Sequence, residues 1–134
     1  MSGGDAPSRE VMPADSLSAL NARLLAFARE RDWEQFHSPK NLAMAIAGEV
    51  GELVEHFQWL TEAQSQSLAP ERREAVALEM ADVLIYLVRL SERLDIDLVA
   101  AANRKITINA ERYPAARVRG DARRASEYGE PDAD

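Results

Sequence analysis

The chain has 134 residues, a length typical of one domain, and its 23 acidic and 16 basic residues give a net charge of −7. This balance argues against a binder of nucleic acid polymers, which would need a broad basic face. The absence of cysteine excludes disulfides and thiolate metal sites. No apolar run reaches the ~18 residues of a membrane helix, and the start lacks a secretory signal, so we expect a cytoplasmic protein without membrane partners.

Helical periodicity dominates the middle of the chain. Residues 1–15 contain Gly, Pro and Ser without a period, which predicts a flexible N-terminal tail. Four amphipathic helices are predicted, starting at Ser16 or Ser18 and running to about 31, then over 39–61 and 70–94, and from Asp95 or Asp97 to 113. Ser38 followed by Pro39 is a typical helix start, and Pro114 ends the last helix.

The predicted fold is all-α, with a four-helix antiparallel bundle-like subunit spanning residues 16–113. Residues 114–134 mix Pro, Gly and charge without a stripe and predict a flexible or partly docked C-terminal tail. In VLIYLVRL, residues 83–90, apolar side chains occur on nearly every side of the third helix. A small bundle cannot bury all of them, so we expect part of this helix in a subunit interface.

Three helices carry polar residues on one flank of their apolar stripe. The second helix has Glu49 and Glu52, with His56 and Trp59 beside them, and the third has Glu79 and Asp82, with Tyr86. Four carboxylates that converge would resist ionising together unless a hard cation such as Mg²⁺, Mn²⁺ or Ca²⁺ lay between them. The fourth helix has Lys105, Asn109 and Arg112, which could hold phosphate oxygens.

The residue pattern alone leaves ordinary structural explanations open. An E-x-x-E pair is most often a solvated helix face, and Trp33 and Trp59 would more often be core or interface residues than ligand contacts. Gly48 and Gly51 are unfavourable in a helix, and we expect a ligand or a neighbouring helix to approach them.

Three segments together resemble a known family. They are ERDWEQFHSPKNLAMAIAGEVGELVEHFQW, EMADVLIYLVRL and KITINAERYP. The sequence is similar to the all-α, MazG-like nucleoside triphosphate pyrophosphatases, and especially to their dCTP pyrophosphatase branch. The resemblance runs from about residue 24 to residue 114.

The resemblance implies a Mg²⁺-dependent hydrolase, with Mn²⁺ as an alternative. It would cleave (deoxy)nucleoside triphosphates, dCTP or modified dCTP first among them, to the monophosphate and pyrophosphate, and so cleanse the nucleotide pool. The implied metal ligands are Glu49, Glu52, Glu79 and Asp82, and either Glu49 or Glu52 would be the catalytic base. The metal or a carboxylate would activate the attacking water.

The implied substrate-binding residues form two sets. Lys105, Asn109 and Arg112 would hold phosphate or sugar, and Trp33, Trp59 and Tyr86 would shape the base and sugar pocket. Family members assemble as homodimers or homotetramers whose sites combine subunits. Members of the dCTP branch carry a histidine in the first helix where this chain has Leu24, which puts cytosine preference in question.

Two other functions are compatible with the same pattern. One is a non-catalytic helical oligomerisation module whose acids bind a structural metal or a basic partner. The other is a phosphoribosyl-ATP pyrophosphohydrolase, which shares the bundle architecture.

Overall fold

The computed structural model describes residues 16–123 and residue 127, and within them every regular element is helical. The longer helices are α1 (Leu17–Glu30), α2 (Pro39–Glu55), α4 (Pro70–Arg93) and α5 (Leu98–Arg112); the shorter ones are α3 (Glu62–Ser65), α6 (Ala115–Val118) and a 3₁₀ turn at Glu34–Phe36. The all-α prediction with four principal helices is confirmed. The predicted N-terminal tail and most of residues 124–134 lie outside the described residues.

Side-chain caps fix where the long helices begin. The hydroxyl of Ser16 accepts a hydrogen bond from the backbone N–H of residue 19 at 3.0 Å, and Ser38 does the same from residue 41 at 3.2 Å. The carboxylate of Asp97 caps α5 by accepting from residue 100 at 2.9 Å. Each cap satisfies a backbone donor that has no partner inside its helix, so these predicted starts are confirmed.

The second helix ends earlier than its apolar pattern predicts. It stops at Glu55 instead of near residue 61, and residues 56–60 form turns. A new helix then starts at Thr61, where a capping box pairs the Thr61 side chain with the backbone of Gln64 and the Gln64 side chain with the backbone of Thr61. This local capping competes with continuation of α2, and the segment between the second and third predicted helices contains α3.

Two aspartates end helices in the left-handed conformation. Asp32 has φ 55° and Asp95 has φ 53°. After Asp32, the N–H of Trp33 donates to the carbonyl of Ala28 at 2.9 Å, and Asp95 is followed by the matching bond from Ile96 to Ser91 at 2.8 Å. These are Schellman motifs, in which the chain reverses sharply at the helix end. The first of them sets the direction in which Trp33 leaves α1.

The chain divides into two compact units, Met1–Ile96 with α1 to α4 and Asp97–Asp134 with α5 and α6. In the first unit α2 and α4 pack antiparallel: near the start of α2, His37 contacts Arg89 at 3.5 Å, and at its end the carbonyl of His56 accepts from Arg72 at 3.2 Å. Helix α1 also packs on α4. The buried apolar side chains of the described residues are Ala28, Leu42, Val76 and Val88.

The face that α4 turns inward is rotated from the predicted stripe. The helical spacing of the third helix predicts an apolar stripe that includes Met80, Leu87 and Leu94, yet these three side chains are exposed. The acidic flank with Glu79 and Asp82 is instead partly buried. Helical periodicity gave the spacing of the apolar groups correctly, but a helix that is apolar on several sides does not specify which side packs within its own subunit.

In the described part of the chain, we find no helix both long and apolar enough to cross a membrane.

The Ser38 cap provides a test of this fold. We expect Ser38→Ala to lower the free energy of unfolding by about 1 kcal/mol, because it leaves a backbone donor at the start of α2 without its partner. Urea denaturation followed by circular dichroism measures the change. Ser67→Ala, at an exposed serine outside the long helices, is the matched control, and equal losses in the two variants would contradict the capping role.

Candidate metal centre and adjoining cavity

Helices α2 and α4 bring three carboxylates together. One oxygen each from Glu49, Glu79 and Asp82 lies within 4.8 Å of the other two. Residues 79 and 82 share a face of α4 because they are three apart, and the antiparallel packing of α2 places Glu49 opposite them. All three side chains are partly buried. The convergence predicted for these three residues is therefore found.

The electrostatics of this cluster are unfavourable without a cation. Burial, together with the negative charges of Glu52 and Asp82, raises the pKa of Glu49 to about 7. The Oε2 atoms of Glu49 and Glu79 are buried and have no hydrogen-bond partner among the residues that the structure describes. Buried carboxylate oxygens normally have partners, so these two atoms are suited to binding a cation. An all-oxygen set of this kind fits a hard divalent cation.

Glu52 stands slightly apart from the other three acids. It does not belong to the group whose oxygens lie within 4.8 Å, and its side chain is exposed. Its charge is nevertheless close enough to raise the pKa of Glu49. The structure therefore brings three of the four predicted ligands into one tight group and leaves the fourth beside it.

A cavity of about 460 Å³ lies against the same cluster. Asp82 belongs to both, since it contributes to the carboxylate group and lines the cavity. Trp33 and Tyr86, two of the three predicted pocket aromatics, also line it. Leu24, the position where the dCTP branch has histidine, contributes an apolar wall. A planar, partly apolar ligand could thus lie next to a metal-bound group.

Trp33 is held by two ring contacts. Its ring meets Phe27 edge-on at a centroid distance of 5.7 Å and His37 at 6.5 Å. Together with the Schellman turn at Asp32, these contacts orient the indole over one side of the cavity. Trp33 is still 44% exposed, which leaves room for a ligand to cover it.

The remaining predicted site residues are not part of this cluster or cavity lining. Trp59 is 86% exposed and does not line the cavity. Lys105, Asn109 and Arg112 lie on α5 in the second unit, at a spacing that puts them on one helix face. Lys105 and Arg112 are exposed and Asn109 is half-buried. Their roles in binding substrate stay predictions.

Arg89 is not among the site residues predicted from the sequence. This arginine lines the cavity and is 2% exposed, which makes it a buried cation among largely apolar walls. Its signal in the sequence is the single charge within the apolar run VLIYLVRL. A charge at such a position is unusual because buried cations are costly unless they are paired.

The raised pKa of Glu49 gives a pH dependence that can be measured. A carboxyl that is protonated more readily in the folded protein stabilises it below its unfolded pKa, near 4.5, and loses that contribution as pH rises through about 7. We therefore expect the metal-free protein and its Glu49→Gln variant to have similar melting temperatures at pH 4.5. Above pH 7 the variant should melt higher, because it has lost the carboxylate repulsion.

Magnesium should reverse the order of the two melting temperatures above pH 7. Added Mg²⁺ should raise the melting temperature of the unaltered protein above pH 7 and leave Glu49→Gln almost unchanged. Differential scanning calorimetry with and without a chelator measures both effects. A constant difference between the two proteins at every pH would contradict the electrostatic account of the cluster.

Comparisons with known proteins agree with this geometry. The sequence profile of the MazG-like family matches residues 44–130. The chain is 46% identical over 125 residues to dCTP pyrophosphatase 1 of Homo sapiens, covering 91% of this chain and 74% of that protein. It is 46% identical over 112 residues to dCTP pyrophosphatase 1 of Rattus norvegicus, covering 82% of this chain and 66% of that protein.

A solved structure shows the same fold. A pyrophosphatase from Archaeoglobus fulgidus superposes with a TM-score of 0.68 at 37% identity, over 78% of this chain and 99% of that one. The profile match covers well over half of the chain, and the resemblance drawn from the three segments is confirmed. The chain belongs to the MazG-like family.

Proposed function

We propose that the protein is a Mg²⁺-dependent pyrophosphatase that converts dCTP to dCMP and pyrophosphate and so limits the dCTP pool. The observation that carries this proposal is the position of Asp82, which joins the carboxylate cluster to the cavity. A triphosphate bound at the cluster would have its base and sugar in the adjoining cavity. The relatives named dCTP pyrophosphatase 1 support dCTP as the substrate.

In this proposal Glu49, Glu79 and Asp82 hold Mg²⁺, and the supporting observations are the convergence of the three carboxylates and the unpartnered Oε2 atoms of Glu49 and Glu79. The bound cation would neutralise negative charge on the triphosphate and on the departing pyrophosphate. Mn²⁺ has the same preference for oxygen ligands and is the expected substitute.

Glu52 is the base in the proposed reaction. Its carboxylate is exposed beside the tight group, so it remains able to accept a proton when the other three acids bind the cation. A carboxylate oxygen of Glu52 takes a proton from a water molecule as that water attacks the α-phosphorus. The bond from the α-phosphorus to the bridging oxygen breaks, and pyrophosphate leaves with the electron pair. The predicted phosphate contacts of Lys105, Asn109 and Arg112 belong to this proposal.

The cavity walls position the nucleoside. Trp33 and Tyr86 provide aromatic surfaces for a base and a sugar, and the apolar residues around them exclude water. Trp59 remains a candidate contact only where a second subunit or a ligand covers it, since it is exposed in the described chain. The cavity beside the carboxylates favours catalysis over a non-catalytic metal-bound module. A phosphoribosyl-ATP substrate has no specific support here.

A homodimer or homotetramer is part of the same proposal. An exposed apolar stripe runs along α4 at helical spacing. Its side chains, each more than a third exposed, are Met80, Leu84, Leu87 and Leu94. A continuous apolar stripe of this kind is typical of a protein interface. On α2, a Cβ added at Gly48 or Gly51 would meet nothing within 4 Å, so no described element of this chain requires these glycines. A ligand or a second subunit is then the expected neighbour.

Product analysis tests the proposed reaction. With Mg²⁺ we expect dCTP to yield dCMP and pyrophosphate, with no dCDP or inorganic phosphate, and a chelator to stop the reaction. Glu52→Gln should lower kcat by about 10²- to 10⁴-fold, because it removes the base. Ion chromatography of the products and initial rates provide the measurement.

The control lies on the same helix. Glu55→Gln changes an exposed glutamate of α2 outside the cluster and should keep kcat unchanged. Asp82→Asn should lose both activity and Mg²⁺-dependent stabilisation. Full activity in Glu52→Gln and Asp82→Asn would refute the assigned site, and dCDP as the product would refute the assigned bond.

The apolar stripe of α4 can be tested independently of activity. We expect the double variant Leu84→Glu and Leu87→Glu to shift from an oligomer to a monomer, because two charges would be desolvated at the interface. Light scattering coupled to size exclusion measures the mass. Glu74→Arg, at an exposed position about 120° around α4 from Met80, is the control, and an unchanged mass in the double variant would place the interface elsewhere.

A further inference from the structure

Arg89 is a charged side chain that its own fold does not fully satisfy. Its guanidinium lies within 3.2 Å of Glu92 and 3.5 Å of the Nδ1 atom of His37. Its Nε is buried and has no hydrogen-bond partner within the described part of the chain. A guanidinium carries five N–H donors, so these contacts leave several unused in a site that is 2% exposed.

A purely structural ion pair explains this arrangement poorly. Burying a guanidinium is costly, and the cost is recovered only when the geometry is good and the remaining donors are bonded. Glu92 is itself partly exposed and binds one nitrogen. Several apolar side chains would fill the same space at lower cost. The unused donors at the cavity wall instead indicate a ligand that carries acceptor atoms.

His37 adds a hydrogen-bond donor to the side of the cavity that Arg89 lines. Burial lowers the pKa of His37, and the charges of Arg89 and Arg93 lower it further. The ring is therefore neutral at pH 7, and its Nδ1 accepts from Arg89. A neutral imidazole whose Nδ1 accepts carries its proton on Nε2. Since His37 also lines the cavity, both polar groups on this side act as donors.

The distance between Asp82 and Arg89 along α4 matches the length of a nucleotide. Arg89 follows Asp82 by seven residues, two helical turns, which separates them by about 10 Å along the helix. A nucleotide whose phosphates lie at Asp82 would therefore reach Arg89 with the edge of its base. This step rests on the proposed hydrolysis of a nucleoside triphosphate at the carboxylate cluster.

We propose that Arg89, positioned by His37 and Glu92, is the residue that selects a cytosine base over uracil and thymine. Cytosine presents two adjacent acceptors, N3 and O2, which match the fork of a guanidinium. Uracil and thymine present an N–H at position 3. This donor would face the N–H donors of the Arg89 guanidinium, so no hydrogen bond could form there. A site built to donate to a base edge rejects the analogue that lacks the acceptor. The O6 and N7 edge of guanine has the same acceptor chemistry.

Binding of monophosphates tests the proposal without requiring turnover. Isothermal titration calorimetry with dCMP, dTMP and dGMP should show that the unaltered protein prefers dCMP. Arg89→Met, which keeps the length of the side chain, should weaken dCMP binding about 10- to 100-fold and change dTMP binding less than about 3-fold. Arg89→Lys keeps the charge without the fork and should also lose the preference. Arg73→Met is the matched control at an exposed arginine of the same helix.

Each outcome has a defined meaning. Equal weakening of dCMP and dTMP by Arg89→Met, or no dCMP preference in the unaltered protein, would overturn the inference. A dGMP preference that Arg89→Met abolishes would overturn the cytosine assignment. It would indicate that the Arg89 guanidinium binds the O6 and N7 edge of guanine instead. If Arg89→Met does not fold, the ratio of dCMP affinity to dTMP affinity in Arg89→Lys decides the question. Arg89-dependent dCMP binding without pyrophosphate release from dCTP would uphold this inference and contradict the proposed function.

Discussion

The contact between α2 and α4 is the constraint on which the rest of the candidate site depends. Antiparallel packing of these two helices places Glu49 against Glu79 and Asp82, so that negative charges meet where solvent access is reduced. The raised pKa of Glu49 shows that the folded chain resists full ionisation of this group. Packing of the apolar residues around Leu42 and Val76 holds the two helices together despite that repulsion. The arrangement therefore stores an electrostatic cost that a divalent cation would remove, and it does so at the edge of a cavity.

Local backbone chemistry positions the cavity beside this contact. The left-handed residue Asp32 turns the chain at the end of α1, and the Ser38 cap starts α2 six residues later. Between them, Trp33 and His37 are brought against the space between α1 and α4. Aspartate tolerates the left-handed conformation better than most side chains, because its short polar group can bond locally. The carboxylate of Asp32 does so by accepting from Gln35 at 3.1 Å. The short segment between the two helices is thus specified by capping rather than by burial.

The parts of this structure that could be predicted from the sequence are those that depend on local signals. Caps and proline gave the starts of α1, α2 and α5, and three-residue spacing gave the carboxylates. The predicted end of α2 was wrong. The apolar pattern continues past Glu55, whereas the capping box at Thr61 starts a separate helix. Arg89 was missed because spacing cannot show that one residue of an apolar run is buried against a cavity. The inward face of α4 depends on which neighbours are present, and a single helix pattern does not contain that information.

Several groups of the first unit are in environments that its described residues do not satisfy. Among residues 16–96, no hydrogen-bond partner reaches the Oε2 atoms of Glu49 and Glu79 or the Nε of Arg89. The stripe through Leu84 and Leu87 exposes apolar area, while few apolar side chains of the described residues are fully buried. Folded domains are stable by a small margin, so unsatisfied groups of this kind persist only where binding compensates for them. In the proposed function a cation would bind the carboxylates and a further copy of the chain would cover the apolar stripe, and in the proposed selection of cytosine a base edge would bind Arg89. Because Asp82 and Arg89 belong to one helix, the packing of α4 governs the environments of the carboxylates and of Arg89 together.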